Sequence, residues 1–476
     1  MKHHFSVLRL AAACSALALL PFSQATAQSY EDIGNLDLNG IQALANAFGL
    51  PSAVYVPTHG VDAHRMTYTM PFLGEEITVS GAVFEPQGLT PECEAPVVVY
   101  MHGTVFERDD VPSFLNGEGQ IGYLISALGF TVLMPDYVGL GIDDQHLHPY
   151  VHAESEAAAG IQLFDGLFNV GSPAVHGHDA DQAFLSGYSQ GGHGAMALHR
   201  EMEQNWPEYN IMASAPQSGP YDISGTQFPW TFADESYSNP SYLAYVALAW
   251  QSVYGNLYGD LGDWFQEPYA SQLPGLLNGE MSSAEINAVL PALTEDFAQP
   301  GLFEELLDPA GAFMAAASDN DVYDWAPAAT TRLYYCTEDE QVFYENALVA
   351  ETWMNNLGAN DVTAVDLGAF NHGTCAGFAI FGAALWFRDL ATFCVPSAVD
   401  EWARNSHLAW PNPAADQLHL SDNLAGQTWR ARTPLGQTYA SGTRTTIDVS
   451  DWPNGMYIIE WPLERRSGQI KVFVEH

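Results

Sequence analysis

Positive charge is what this sequence has least of. Lysine occurs twice, at Lys2 and Lys471, and the 14 lysines and arginines face 57 aspartates and glutamates, a formal net charge of −43 over 476 residues. Such a surface repels a phosphate backbone, which excludes nucleic acid as a partner, and it is disfavoured at an anionic membrane. It reads as a solvated acidic shell suited to saline surroundings, where counter-ions screen self-repulsion. Long apolar runs are scarce as well. Beyond the N-terminus no stretch approaches the roughly 18 uncharged apolar residues of a spanning helix, so no integral membrane segment is expected. The one apolar stretch near the start, Leu8 to Leu20, is too short to cross a bilayer. Lys2 and Arg9 supply its positive start, and the small-x-small pattern Ala25-Thr26-Ala27 follows it. Residues 1–27 therefore read as an export signal, the mature chain begins near Gln28, and the expected location is secreted or cell-surface.

Cysteine is also sparse: five in all, of which Cys14 lies in the leader. The remaining Cys93, Cys336, Cys375 and Cys394 are an even number in an exported chain, the pattern of two disulfides. Neither cysteine nor histidine falls at a zinc-like spacing. His176-Gly177-His178-Asp179, with His146, His148 and His152, reads as solvated loop residues, so no metal and no cofactor is expected.

Charge divides the chain. Residues 1–408 hold 8 basic and 50 acidic residues, whereas residues 409–476 hold 6 and 7. The junction at 405–413 coincides with Trp410-Pro411-Asn412-Pro413, which interrupts a helical pattern. Beyond it short β-type runs alternate with turns (Gln417–Leu420, Thr428–Arg432, Thr445–Val449, Met456–Glu460, Gln469–Val474), and Asn454-Gly455 is a turn dipeptide, predicting a small C-terminal β-sandwich over 409–476. In the body, residues 28–405, eight strand-like runs alternate with helical patterns: His64–Met70, Ile77–Phe84, Pro96–Met101, Phe130–Met134, Gln182–Ser186, Ile211–Ala215, Arg332–Cys336 and Val362–Asp366. That alternation predicts a mostly parallel sheet with helices on both faces. Between residues 222 and 325 the strand pattern gives way to aromatic residues with helical periodicity (Pro240–Tyr258, Ser283–Glu295, Gly301–Leu307), predicting a helical cap insertion.

The chemistry centres on Gly187-Tyr188-Ser189-Gln190-Gly191. A buried-type strand, Gln182–Ser186, precedes it, and an amphipathic helix starting near Gly191 follows. In that setting the glycines permit a sharp strand-to-helix turn that lifts the Ser189 hydroxyl above the sheet and aims the helix N-terminus at a developing oxyanion. A nucleophilic serine needs a base placed after the last strand. Among the downstream histidines, His193 and His199 lie on the helix after the serine, facing away, and His407, His419 and His476 lie past the body. His372 remains, in the loop Asn371-His372-Gly373-Thr374 ahead of the helix Ala376–Leu390. The orienting acid should follow the preceding strand, where Asp339 sits mid-loop with Glu338 and Glu340 as alternates. The Gln190 amide is one expected oxyanion donor, and the loop Met101-His102-Gly103-Thr104 offers another, Thr104, with His102 bracing the loop. The order Ser189, Asp339, His372 is that of α/β-hydrolases.

The segments His102-Gly103-Thr104, Val111-Pro112-Ser113, Pro135–Gly141, Gly187–Gly192, Glu338–Val342 and Asn371–Thr374 together resemble the secretory lipase family of α/β-hydrolases, fungal lipase-A-like enzymes and bacterial secreted lipases and esterases, over about residues 60–394 outside the insertion. The resemblance implies Ser189 as nucleophile, His372 as base, Asp339 as acid and Gln190 as an oxyanion donor, acting on a small-molecule or lipid ester through an acyl-enzyme. The tail segments Pro411-Asn412-Pro413-Ala414, Gly436-Gln437, Asp451–Tyr457 and Lys471–Val474 resemble the C-terminal sorting domains of type IX secretion cargo in Bacteroidetes-type bacteria, which implies that secretion machinery as a partner. Two other readings of the body are a serine peptidase of the prolyl-oligopeptidase type, for which no propeller-like repeats precede the domain, and a non-catalytic surface binding protein, which would have no need of all three triad residues.

Topology also predicts the disulfides. The helix between Cys375 and Cys394, some 16 residues, spans about 24 Å, beyond disulfide reach. Cys336 and Cys375 fall at the catalytic edge of the sheet and Cys93 and Cys394 at the opposite edge, which pairs Cys336 with Cys375 and Cys93 with Cys394. The acidic shell itself makes a prediction. Added NaCl should raise the thermal midpoint by screening self-repulsion; a midpoint that falls as salt is titrated in would contradict the saline-adapted reading.

Overall fold

The structure, a computed structural model, describes residues 27–52, 54–170, 174, 176–231, 239–394, 409–410, 414–421, 426–433, 438–462, 467–474 and 476. The export signal up to residue 26, most of the 405–413 junction, and the tail segments Pro411-Asn412-Pro413 and Gly436-Gln437 lie outside those residues. The chain forms two compact units, residues 1–394 and 395–476.

Strand β4 (Glu94–Met101) shows how the first unit is built. Only its first residue is exposed, so it reads as a continuous apolar run, the pattern of a strand covered on both faces. Within it, period-two alternation splits the side chains between two cores. Val98 and Tyr100 join Phe84, Phe184 and the helices Gly119–Ser126 and His372–Leu390. Val97, Val99 and Met101 join Leu133, Leu185 and the helices Ala153–Val170 and Gln190–Asn205. The sheet also holds β1 (Ala27–Leu36), β2 (Val61–Phe72), β3 (Glu75–Pro86), β5 (Thr131–Pro135), β6 (Gly177–Tyr188), β7 (Ile211–Gln217), β8 (Thr330–Tyr335) and β9 (Val362–Asp366). Their order is β1-β2-β3-β5-β4-β6-β7-β8-β9. Strands β5, β4 and β6 to β9 pair in parallel, and β1, β2 and β3 continue the sheet antiparallel. This is the α/β-hydrolase fold.

The sheet has nine strands rather than the eight expected. The additional strand is β1, an edge strand whose register against β2 shifts between Ala27 and Ser29 and again between Asp32 and Gly34. Those irregularities, and polar Asp32 and Asn35, erase the alternation by which a strand is read.

Between β7 and β8 the described chain is helical: Pro240–Tyr254, Tyr269–Leu276, Ser283–Val289, Pro300–Leu307 and Ala312–Asp319 surround a core containing Trp250, Phe265, Phe297 and Phe313. Two helices are shorter than their patterns. The helix from Pro240 stops at Tyr254 because Gly255 takes a left-handed cap at φ 70°. The helix from Ser283 stops at Val289 because Pro291 holds Leu290 extended at ψ 142°.

In the second unit, β10 (Ala409–Trp410), β11 (Gln417–Leu420) and β14 (Thr446–Asp448) form one antiparallel sheet. Strands β12 (Trp429–Arg432), β13 (Thr438–Gly442), β15 (Gly455–Pro462) and β16 (Ser467–Val474) form another. Leu418, Ile447, Trp429, Ile459 and Val472 pack from both sheets into one core.

Both disulfides are formed: Cys93–Cys394, with Cα atoms 5.4 Å apart, and Cys336–Cys375, at 6.1 Å. The packing of the body converges on Phe184, which is fully buried with its ring 5.7 Å from Phe130 and 5.0 Å from Phe387. Phe184→Ala should cost about 3–5 kcal/mol, measured as a lower denaturant midpoint with an unchanged slope.

Candidate active site

Strand β6 ends at Tyr188, and the next helix begins at Gln190, leaving one residue for the turn. That residue, Ser189, sits at φ 60°, ψ −122°, a strained conformation costing about 1–3 kcal/mol. Its N–H donates to Gln217 O at 3.0 Å. The turn is tight because the helix start abuts the end of β4: a Cβ on Gly191 would overlap the Met101 carbonyl, and one on Gly187 would overlap Gly191. The helix begins one residue earlier than its pattern suggested, which places the Gln190 N–H among the terminal amides that have no partner within a helix.

His372 and Asp339 meet across two neighbouring loops. The helix expected from Ala376 in fact starts at His372, capped by Asn371, whose Oδ1 accepts from Thr374 N. His372 Nδ1–H donates to Asp339 Oδ2 at 2.7 Å. Asp339 Oδ1 accepts from the backbone amides of Gln341 at 3.0 Å and Val342 at 2.9 Å. A carboxylate only accepts, so the contact puts the proton on Nδ1 and leaves Nε2 with its lone pair. Of the two alternate acids, Glu338 is exposed, and Glu340 Oε2 instead accepts the His372 backbone N–H at 3.0 Å. Tyr188, next to the serine, donates from its hydroxyl to His372 O at 2.6 Å, its ring 4.9 Å from the imidazole. Cys336, just past β8, is bonded to Cys375 in the first turn of the His372 helix, so the acid loop and the histidine loop are covalently tied.

The loop after β4 is braced from inside. His102 is buried, with Nδ1 at 2.8 Å from Gly103 O and Nε2 at 3.3 Å from Asp136 O, and burial pushes its pKa down to about 4. Thr104 Oγ1 lies 2.9 Å from the Tyr150 hydroxyl. Glu118, which no motif pointed to, accepts from the Tyr100 hydroxyl at 2.9 Å beside Gly103, and burial raises its pKa to about 7. Ser189 and Gln190 line a cleft whose apolar wall includes Val151, Ile223, Phe228 and Leu243.

The histidines read as solvated loop residues are mostly buried. His148, His152 and His176 are 2%, 5% and 7% exposed, because Tyr150 and Val151 pack the first loop into the helical core between β7 and β8 and the His176 ring packs against His178. His146 is the more exposed one and contacts Asp143 at 2.9 Å. Among the described residues no group of three or more His, Cys, Asp or Glu has the geometry to hold a metal ion.

No family model and no curated protein sequence matches the chain. Solved structures do. The rice cell wall degrading esterase LipA from Xanthomonas oryzae is 28% identical, with a TM-score of 0.66 over 76% of this chain and 97% of that one. A Legionella pneumophila protein, at 24% identity and TM-score 0.70, covers 76% of this chain and 98% of its own. Candida antarctica lipase A in its closed state, at 14% identity and TM-score 0.55, covers 78% and 85%. The last two show the shared fold; the first supports a hydrolase.

Burial also sets the acid response. It lowers His102, His152 and His178 to about 4 and His148 to about 3. Their folded values lie below that of the unfolded chain. The stability they confer is therefore present above about pH 6.5 and lost as pH falls through their folded values. Glu118, raised to about 7, and Asp321, raised to about 6, act with the opposite sign: their contribution is present at low pH and lost as pH rises through those values. His178→Gln should accordingly flatten the acid limb of a midpoint-versus-pH curve between 6.5 and 4; an unchanged limb would mean that His178 is not held neutral.

Proposed function

We propose that the protein is a secreted serine carboxylic-ester hydrolase, a lipase or esterase, working through Ser189, His372 and Asp339. The observation that carries this reading is the buried 2.7 Å bond between His372 Nδ1 and Asp339 Oδ2, joined to the Ser189 turn through Tyr188. His372 Nε2 takes the Ser189 proton as the hydroxyl attacks an ester carbonyl, and the backbone amides of Gln190 and Thr104 hold the oxyanion. The imidazolium is stabilised by Asp339 and protonates the leaving alcohol. Water, activated by the same histidine, then releases the acyl group and regenerates the serine. The apolar wall of the cleft suits the acyl portion of a small-molecule or lipid ester. Two disulfides and the N-terminal export pattern favour an extracytoplasmic destination.

Within this proposal, residues 1–27 are the signal peptide and residues 28–405 the hydrolase domain, with 222–325 as its cap. Residues 409–476 are a sorting domain for type IX secretion. The likeness to the esterase LipA favours an ester over a peptide substrate.

Ser189→Ala should abolish hydrolysis of short p-nitrophenyl esters and labelling by a fluorophosphonate, and wild-type turnover in that variant would overturn the assignment. Asp339→Asn should retain the fold yet lower kcat by roughly 10⁴-fold through the wrong histidine tautomer. Parallel panels of esters and amides decide between esterase and peptidase.

A further inference from the structure

Beneath the Ser189 turn runs a buried polar chain that the acyl-transfer scheme leaves unused. The Gln190 carboxamide donates one hydrogen to His148 Nε2 at 2.8 Å and the other to Glu156 Oε1 at 2.9 Å. The direction at His148 follows from its other nitrogen. Nδ1 lies 2.9 Å from Val138 O, which can only accept, so Nδ1 carries the hydrogen and Nε2 the lone pair. Glu156 Oε2 lies 2.6 Å from His193 Nδ1, and His193 Nε2–H donates to Asn320 O at 2.8 Å. A single proton thus lies between Glu156 and His193, and the pair is neutral as a whole. Asn320 closes the chain: its Oδ1 accepts from Ala153 N, at the start of the helix that bears Glu156, and its amide donates to Tyr254 on a cap helix. Gln190, His148, Glu156, His193 and Asn320 are all 2% exposed or less.

Burying a carboxylate and an imidazole is expensive, and an apolar layer would pack the same helices with less penalty. What the polar chain adds is directional restraint at position 190. Turning the Gln190 residue would strand buried donors and acceptors on both sides, each of which is costly to leave unpaired. We propose that Glu156, His148 and His193 are positioning residues that hold the Gln190 backbone N–H at the oxyanion site by gripping its side chain. The proposal rests on the acyl-transfer reading above.

It is tested with four variants assayed on a short p-nitrophenyl ester. Gln190→Met keeps the backbone N–H and removes the grip. Since losing an oxyanion donor outright costs roughly 10²–10³-fold, a displaced one should lower kcat by about 10–100-fold with KM within about twofold. Affinity for a trifluoromethyl ketone should fall by the same factor as kcat/KM. Glu156→Met should behave alike. Glu156→Gln should keep kcat within about threefold, because its carbonyl still accepts from Gln190 and its amide donates to a neutral His193 Nδ1. That conservative rescue separates a positioning role from a general loss of fold, and Gln190→Met alone decides the matter if Glu156→Met does not fold. Wild-type kcat in Gln190→Met, a loss confined to KM, or a Glu156→Gln enzyme as impaired as Glu156→Met would each overturn the proposal. Ser189→Ala distinguishes the two levels. Full activity there removes the acyl-transfer reading and this inference with it, whereas an inactive Ser189→Ala beside a fully active Gln190→Met removes this inference alone.

Discussion

The helix after β6 enters the sheet so closely that no side chain fits between Gly191 and the Met101 carbonyl. Much of the candidate site follows from that approach. The chain must reverse within one residue, which forces Ser189 into left-handed backbone. The helix N-terminus is driven against the end of β4, beside the loop that starts at His102. Gln190, the first helical residue, is carried into the interior with a carboxamide that needs partners, and His148 and Glu156 supply them. The strain at one serine is thus compensated by packing and hydrogen bonds drawn from several separate segments of sequence.

Scarcity of positive charge shapes the interior as well as the surface. With 16 histidines and only 14 lysines and arginines, the buried acids are satisfied largely without permanent cations. Asp339 is held by two backbone amides and an imidazole, Glu156 by a carboxamide and an imidazole, and Glu118 by a tyrosine hydroxyl. A neutral or shared-proton donor places a hydrogen bond without adding a full charge to a low-dielectric core, where an unmatched charge is costly. An acidic exterior and a histidine-rich interior are therefore compatible solutions to the same composition.

The fold class was legible because its strongest signals are local. Val97 to Met101 and Ala183 to Ser186 are apolar runs that no surface segment would carry, and helical periodicity recurs between the strands. The edge strand β1 is not legible because its irregular register breaks the alternation and polar Asp32 and Asn35 interrupt its apolar positions. Elimination among the histidines led to His372, and loop position led to Asp339; their side chains meet in the structure. His148, Glu156 and Glu118 were illegible for a different reason. Each is a polar residue whose importance depends on burial by segments far away in sequence, and nothing in its local pattern separates it from a solvated neighbour.

The bond between Cys93 and Cys394 joins positions 301 residues apart, just ahead of β4 and at the last residue of the first unit. It closes residues 93–394 into a covalent ring. Ser189, Asp339, His372, the loop after β4 and the helices between β7 and β8 lie on that ring, and residues 395–476 follow it in the chain. A cut beyond residue 394 leaves the ring closed, and a single cut anywhere inside it, in an exposed cap loop for instance, opens the ring without setting either piece free. One nick in the body is then an injury the fold can survive.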